Sequence, residues 1–191
     1  MHIQFITGLG NFSAHYEKTR HNVGFTFLDQ LVVKLNLSWK KHSTACGQYC
    51  IWQHQKGRIL IFKPNKLMNI NGGPIAQCLQ YHKIAPQHAL VAYDDLSFPA
   101  GTVKLKSKGG HAGHNGVRDI LNHLDDQHFY RLRFGIGRPI DKDRVSDYVL
   151  SQPSIEDSEK IQKTVAHCIE NLDDVISGNY AQFQQSIAST E

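Results

Sequence analysis

The chain has 191 residues, of which 40% are hydrophobic and 20% are charged. This length and balance predict one globular domain covering residues 1–191, with enough apolar content to bury a sizeable core. No apolar run approaches the roughly 20 residues that a membrane span requires, and no signal peptide is visible, so we expect a cytoplasmic protein with no membrane partner.

The formal net charge of +4 permits an acidic partner such as RNA but does not require one. The four cysteines, Cys46, Cys50, Cys78 and Cys168, are scattered along the chain without a CxxC pair. This spacing favours free thiols in a reducing compartment over disulfides or a zinc site.

The first predicted elements are a strand and a helix. Residues 3–7 form a short β-rich run that ends in Gly8-Leu9-Gly10, as expected for a strand entering a tight loop. From Thr19 the apolar residues recur at helical spacing, so we predict a helix capped by Thr19, with His21 and Asn22 in its first turn.

Further along the chain, strand-like runs alternate with helical ones. The predicted elements are a hairpin of residues 49–54 and 58–63, a helix from Pro74, strands at 89–93, 103–108 and 131–137, a helix at 117–124 and a final helix at 161–176. This order predicts a single α/β domain, with a mixed twisted β-sheet flanked by helices on both faces. The hairpin argues against an all-parallel sheet.

One histidine and one carboxylate are placed where a general base and its partner could meet. His21 lies in a predicted helical first turn, where backbone N–H groups would help to keep its imidazole neutral. Asp94 ends a buried-type strand, and open α/β sheets place their sites at that end. Asp94 could therefore orient the ring of His21, while Asp95 should point to the opposite face. With twelve histidines in the chain, an exposed or capping role for His21 stays open.

Three asparagines, Asn11, Asn69 and Asn115, fall near predicted strand ends and could converge with His21 and Asp94. Their amides could hold a peptide backbone and support a developing oxyanion without a charge to desolvate. Each could equally be an ordinary loop residue.

Other catalytic patterns are incomplete. Gly8-Leu9-Gly10 starts like a dinucleotide fingerprint, but Ser13 occupies the position of its third glycine. The glycine-rich 109–116 loop lacks the Lys-Ser/Thr of a phosphate-binding loop, and neither a GxSxG nor an HExxH motif occurs. His111 and His114 could form a metal pair, but no third ligand is obvious.

Basic residues alternate with apolar ones on two predicted strands. Lys104, Lys106 and Lys108 share one face of the first strand, and Arg131 and Arg133 share one face of the second. These side chains could contact RNA phosphates or could form a solvated surface, and both interpretations stay open.

The order of these motifs resembles that of the bacterial peptidyl-tRNA hydrolase family over nearly the whole chain. The motifs that carry the resemblance are the 8–11 turn, Tyr16, Thr19-Arg20-His21-Asn22, Lys63-Pro64, Met68-Asn69, the 109–116 loop and Arg131-Leu132-Arg133 followed by Gly135-Ile136-Gly137. The resemblance implies a monomeric α/β enzyme without metal or other cofactor. Such an enzyme cleaves the ester between the peptide and the terminal ribose in peptidyl-tRNA, and so recycles the tRNA.

The resemblance also implies roles for individual residues. The catalytic positions are His21 as the base, Asp94 as its partner and Asn11, which would distinguish a blocked from a free α-amino group. The substrate-binding positions are Tyr16, Leu67, Asn69 and Asn115, and the tRNA-binding positions are Lys106, His114 and Arg133.

The chain departs from the family pattern at the rim of the cleft. The family usually has Pro-Gly after Asn11, where this chain has Phe12-Ser13, and it usually has Thr and Ser where Lys66 and Asn71 stand. Three alternative functions stay open: a non-catalytic RNA-binding module, a metal-dependent esterase that uses the histidines, and a nucleotide-cofactor-binding protein.

Overall fold

The computed structural model describes residues 2–188. Within them, seven strands form one sheet in the order β2-β3-β4-β1-β5-β7-β6. The strands are β1 (Phe5–Gly8), β2 (Lys40–Lys41), β3 (Gly47–His54), β4 (Gly57–Pro64), β5 (Ala89–Asp95), β6 (Val103–Lys106) and β7 (Tyr130–Gly135). Strand β1 runs parallel to β4 and β5, and β5 runs parallel to β7. The β3–β4 and β6–β7 pairs are antiparallel, which confirms the mixed sheet and the predicted hairpin.

Seven α-helices accompany the sheet in the described range. They are α1 (Val23–Lys34), α2 (Gly72–Tyr81), α3 (Asn115–His123), α4 (Val145–Val149), α5 (Ile155–Glu170), α6 (Leu172–Ser177) and α7 (Tyr180–Ala188). None of the helices in this range combines the length and apolar character needed to cross a membrane.

Apolar residues are buried on both faces of the sheet. One cluster packs α1, α5, α6 and α7 against residues such as Ile6, Leu90 and Leu132. The other cluster packs α2 and α3 against the opposite face, which carries Phe5 and Val91. Because successive side chains of a strand alternate between faces, β1, β3, β4 and β5 contribute to both clusters. The prediction of helices on both faces is therefore confirmed.

Two predicted details of the helices are wrong, and two helices were not predicted. The predicted final helix is divided at Asn171 into α5 and α6, and α7 follows it. The short helix α4 was also not predicted, because five residues carry no readable period. Thr19 does not cap α1 with its side chain: its hydroxyl donates to the carbonyl of Tyr16, and residues 20–22 form a separate 3₁₀ turn.

Helix α1 approaches the sheet more closely than side chains would allow. A Cβ atom added to Gly24 would lie 2.4 Å from the carbonyl oxygen of Ala92 and 2.6 Å from that of Leu9. A Cβ atom added to Gly8 would lie 2.2 Å from the carbonyl oxygen of Gly24. These two glycines allow direct backbone contact, and so they bring the turn before α1 to the end of β5.

We expect Gly24→Ala to destabilise the fold by about 1–3 kcal/mol, since the added methyl group meets backbone atoms that cannot rotate away. The displaced helix should also reduce turnover. Thermal unfolding and kcat would measure the two effects. Gly73→Ala is a matched control, because the nearest atom to its Cβ would be 3.5 Å away in the His123 ring. Equal stability of the two variants would contradict the close packing of α1.

Candidate active site

A cavity of about 800 Å³ opens at the edge of the sheet where the parallel strands end. This edge collects side chains that are far apart in the sequence, because parallel strands present their carboxyl ends on the same side. The polar residues of its wall include Asn11, His21, Asn69, Asp94, Lys106, His114 and Asn115.

His21 and Asp94 form a buried hydrogen-bonded pair in this cavity. The Nδ1 atom of His21 lies 2.9 Å from each oxygen of the Asp94 carboxylate. His21 belongs to the 3₁₀ turn Arg20–Asn22 before α1, and Asp94 is the second-last residue of β5. The exposed fraction is 9% for His21 and 2% for Asp94. The contact is therefore shielded from bulk water, while His21 still reaches the cavity wall.

Burial and the opposite charges of the two residues determine the pKa values of this pair. Burial lowers the pKa of His21, but the charge of Asp94 and the hydrogen bond to it outweigh that effect, so the net shift is upward. The expectation that the helical turn keeps His21 neutral thus omitted the stronger influence of Asp94. Burial alone would raise the pKa of Asp94, but His21 and His114 hold it far below its ordinary value. Asp94 is therefore a carboxylate at neutral pH.

His114 is a second partner of the same carboxylate. Its Nε2 atom lies 2.9 Å from Oδ1 of Asp94, and its ring centroid lies 5.0 Å from that of His21. The backbone N–H of Val117 donates to Nδ1 of His114, which caps α3. Since Nδ1 accepts this hydrogen bond, the proton of the neutral ring lies on Nε2, which donates to Asp94.

The two tautomers define what each ring can do. His21 donates through Nδ1 to Asp94, so its Nε2 carries the lone pair of the neutral ring. The nitrogen and oxygen atoms of His21, Asp94 and His114 lie close enough together to hold a metal ion. In the neutral rings, however, both nitrogens that face Asp94 carry protons, so the trio forms a hydrogen-bonded network rather than a ligand set.

Among the described residues, a second cluster has candidate ligand atoms close enough together to hold a metal ion. It is formed by His42, Cys78 and His82. The backbone N–H groups of Thr44 and Ala45 both donate to Nδ1 of His42. The proton of the neutral ring therefore lies on Nε2, which is 3.1 Å from Nε2 of His82. Burial also raises the pKa of the Cys78 thiol to about 12. The cluster therefore consists of a hydrogen bond between His42 and His82 next to the protonated thiol of Cys78.

Asn11 presents its amide nitrogen to the cavity because its other groups are occupied. Its Oδ1 atom accepts the backbone N–H of Met68 at 2.7 Å. Its backbone N–H and carbonyl are both bound by the side chain of Asn22, at 2.8 and 3.0 Å. The amide orientation follows from the Met68 hydrogen bond, so the Nδ2 hydrogens are available to a ligand.

Asn69 and Asn115 reach the cavity from two other segments. Asn69 is the exposed middle residue of the 3₁₀ turn Met68–Ile70, and Asn115 is the exposed first residue of α3. The side chain of Arg118 donates to Oδ1 of Asn115, which leaves the Nδ2 hydrogens of Asn115 as donors. All three predicted asparagines therefore line the same cavity.

Two further asparagines hold the loops of the site together. Asn22 binds the backbone of Asn11, as described above. Asn71 is fully buried; its Oδ1 accepts the N–H of Gly10 at 3.1 Å, and its Nδ2 donates to the carbonyl of Leu67 at 2.7 Å. Sequence reasoning assigned no role to either side chain. Asn22 lay in a quoted motif, whereas no sequence signal indicates the partners of Asn71.

Known proteins share this arrangement along most of the chain. The family described as "Peptidyl-tRNA hydrolase" matches residues 5–191. This chain belongs to the peptidyl-tRNA hydrolase family. A peptidyl-tRNA hydrolase of Neisseria gonorrhoeae (strain NCCP11945) is 40% identical over 180 residues, which is 94% of each chain. One from Coxiella burnetii (strain CbuG_Q212) is 38% identical over 193 residues, 98% of each chain.

Solved structures of the family are also similar to this fold. The crystal structure of peptidyl-tRNA hydrolase from Acinetobacter baumannii has a TM-score of 0.92 and 34% sequence identity, and the match covers 97% of this chain and 94% of that one. The Arg119Gln mutant of that enzyme has a TM-score of 0.93 and 33% identity. The family resemblance inferred from the motifs is confirmed.

Family positions expected to touch the substrate are distributed unevenly around the cavity. Tyr16 and Leu67 do not belong to its wall. Leu67 is 47% exposed, and its neighbour Met68 lines the cavity instead. Tyr16 lies in the 3₁₀ turn Ala14–Tyr16 and contacts the ring of His15. Tyr16 is half-buried at that position.

The basic positions also differ from one another. Lys106 is exposed at the end of β6, whereas Arg133 donates through Nε and Nη2 to Oδ2 of Asp95, both at 2.6 Å. Asp95 lies on the opposite face of β5 from Asp94, as the alternation predicted. His114, expected at the tRNA, lines the cavity, and its two ring nitrogens are engaged with Asp94 and Val117.

Replacing Asp94 by Asn should lower the pKa of His21 below its ordinary value, because burial remains while the neighbouring charge is lost. NMR titration of the His21 ring would measure the shift. A pKa equal to that of the wild type would contradict the electrostatic role of Asp94.

The same pair should affect stability. Because the folded-state pKa of His21 is raised, its contribution is complete below the unfolded pKa of about 6.5 and is lost as the pH rises through the folded pKa. In Asp94→Asn, where burial alone acts and the pKa of His21 is lowered, the contribution of His21 should instead rise with pH across this range. Thermal unfolding on both sides of the window would measure the two opposite trends.

Proposed function

We propose that this protein hydrolyses the ester between peptide and tRNA in peptidyl-tRNA, with His21 as a general base that activates water. The observation that carries this proposal is the His21–Asp94 pair at the wall of an amide-lined cavity. Membership of the peptidyl-tRNA hydrolase family supplies the substrate class.

The first step is attack of water on the ester carbonyl. Nε2 of His21 takes a proton from the water, while Asp94 holds the ring through Nδ1 and stabilises the imidazolium that forms. His114 donates to the same carboxylate and so restricts its rotation. The raised pKa of His21 makes the ring a stronger base, but a smaller neutral fraction is present at neutral pH.

The second step is collapse of the tetrahedral intermediate. The amide nitrogens of Asn69 and Asn115 are the proposed donors to its oxyanion, and Asn115 is oriented for this by Arg118. The amide nitrogen of Asn11 faces the cavity. Asn11 is proposed to contact the peptide end and so to distinguish a blocked from a free α-amino group. The imidazolium of His21 then returns its proton to the leaving ribose oxygen, which releases the tRNA.

The tRNA is proposed to lie at the basic side of the cavity. Lys106, which is exposed, is the stronger candidate for a phosphate contact there. Because Asp95 partly neutralises Arg133, this arginine would attract phosphates less strongly and would mainly help to orient the tRNA. Tyr16 and Leu67 would contact only parts of the substrate that extend beyond the cavity.

The protein is further proposed to act as a monomer in the cytoplasm, without a metal or other cofactor. All the groups used above come from one chain. The ring protons facing Asp94 disfavour a metal between His21 and His114, and a chelator is the direct test of the metal-dependent alternative.

His21→Ala should lower kcat by about 10²–10⁴-fold, the usual share of general-base catalysis, while tRNA binding is retained. The measurement is release of tRNA from N-acetyl-aminoacyl-tRNA and from the unblocked form, with and without EDTA. His128→Ala is the control, since that ring is 59% exposed and away from the cavity. Unchanged turnover of His21→Ala would refute the base, and loss of wild-type turnover in EDTA would favour a metal enzyme.

Lys106→Gln should raise KM and reduce the slope of log KM against log salt by about 0.7–0.9, the value of one phosphate contact. Arg133→Gln should have a smaller effect on the slope, because Asp95 already offsets its charge. Lys163→Gln, an exposed change on α5, is the matched control. A slope equal to that of the control would mean that Lys106 is only solvated surface.

A further inference from the structure

Helix α4 forms one wall of the cavity, although it is too short to be stable alone. Val145, Ser146 and Val149 of this helix line the cavity, together with Leu150 after it. A helix of five residues closes too few hydrogen bonds to offset its nucleation cost, so contacts outside the helix must hold it. The identity of those contacts decides what controls the position of this wall.

Arg20 makes most of the polar contacts at the end of α4. Its Nη1 donates to Oγ of Ser151 at 2.8 Å, to the carbonyl of Gln152 at 2.6 Å and, more weakly, to the carbonyl of Ser151 at 3.5 Å. Its backbone N–H donates to the Ser151 carbonyl at 3.0 Å. The guanidinium carbon lies 4.2 Å from the centroid of the Tyr148 ring.

The contacts of Arg20 continue into the rest of the wall. Oγ of Ser151 donates to the carbonyl of Tyr148 at 2.7 Å, and the Tyr148 hydroxyl donates to the carbonyl of Ile136 at 2.7 Å. Helix α4 is thus fixed at one side to the chain after β7 and at the other to Arg20. Arg20 is 8% exposed, so water does not compete freely for these groups.

Arg20 is adjacent to His21 in one 3₁₀ turn. The same rigid turn therefore directs His21 to Asp94 and Arg20 to α4. The carboxylate of Asp157 lies 3.8 Å from Nη2 of Arg20, which is too far for a close ion pair. The guanidinium is therefore stabilised mainly by backbone carbonyls and by the Tyr148 ring. Its planar fork and ring contact are features that a lysine cannot reproduce.

We propose that Arg20 is a positioning residue that holds the α4 wall, where the peptide part of the substrate lies, in register with the turn carrying His21. Lys106, an exposed residue of the cavity wall, suits the tRNA. The wall of Val145, Val149 and Leu150 is apolar and suits peptide side chains. This inference rests on the proposed hydrolysis of peptidyl-tRNA.

The test compares substrates that differ only in peptide length. In Arg20→Lys, KM for tRNA carrying a blocked peptide of several residues should rise about 3- to 10-fold, the effect of losing roughly one hydrogen bond's worth of contact. The KM for N-acetyl-aminoacyl-tRNA, the Kd for deacylated tRNA and the inflection of the pH–rate profile should stay at wild-type values. A purely structural role would not produce this selectivity.

Two milder variants keep the test decisive if Arg20→Lys does not fold. Ser151→Ala removes two hydrogen bonds of the network and Tyr148→Phe removes one, and both variants should shift KM in the same direction as Arg20→Lys. His54→Gln is the control, because it removes a contact to Asp173 from a side chain that is 4% exposed and does not line the cavity. Circular dichroism and thermal unfolding would establish that each variant is folded.

Three outcomes would overturn the inference. They are wild-type KM values in all the folded variants, equal rises of KM for both substrates, and a weaker Kd for deacylated tRNA in Arg20→Lys. Failure of the proposed function is distinguishable, since in that case the wild-type protein would release no tRNA from either substrate.

Discussion

The carboxylate of Asp94 is the group on which the site depends. It is almost completely buried, and a buried charge is tolerated only where hydrogen-bond donors surround it. The structure supplies two ring N–H groups, one from His21 before α1 and one from His114 before α3. The carboxylate thus joins segments from the two sides of the sheet at the end of β5. Its charge also determines the orientation of His21, so stability of the site and basicity of the ring have one physical origin.

Close backbone packing places the donors where the carboxylate can accept them. Gly8 and Gly24 let α1 meet the ends of β1 and β5 without intervening side chains, which brings His21 within 2.9 Å of Asp94. Around that contact, Asn22 and Asn71 bind backbone groups of the loops that carry Asn11 and Asn69. These amides accept the backbone N–H groups of Gly10 and Asn11, which are buried and need an acceptor. The loops are therefore organised before a ligand arrives, as electrostatic stabilisation of an oxyanion requires.

The cavity wall carries two kinds of side chain. Lys106 is exposed and basic, so it favours phosphates in a way that depends on salt. Val145, Val149 and Leu150, in and after α4, are apolar. Asp95 partly neutralises Arg133 on one face of β5 while Asp94 serves His21 on the other, so two adjacent carboxylates have separate roles because side chains alternate along a strand. The ester of a peptidyl-tRNA joins the same two kinds of group, an anionic RNA and a peptide.

Residue order alone predicted the mixed α/β sheet, since strand and helix periods are local properties of the chain. It also predicted that His21, Asp94 and the three asparagines would approach one another, since each lies near a strand end and such ends share an edge. Tertiary structure alone decided that His114 donates to Asp94, that Asp95 partly neutralises Arg133, that Asn71 joins two loops, and that Arg20 donates to the segment after α4. The physical reason is the distance along the chain over which each feature is determined. The hydrophobic period of a helix or strand depends on neighbouring residues. The partner of a buried polar group depends on which distant segments the completed fold brings within about 3 Å of it.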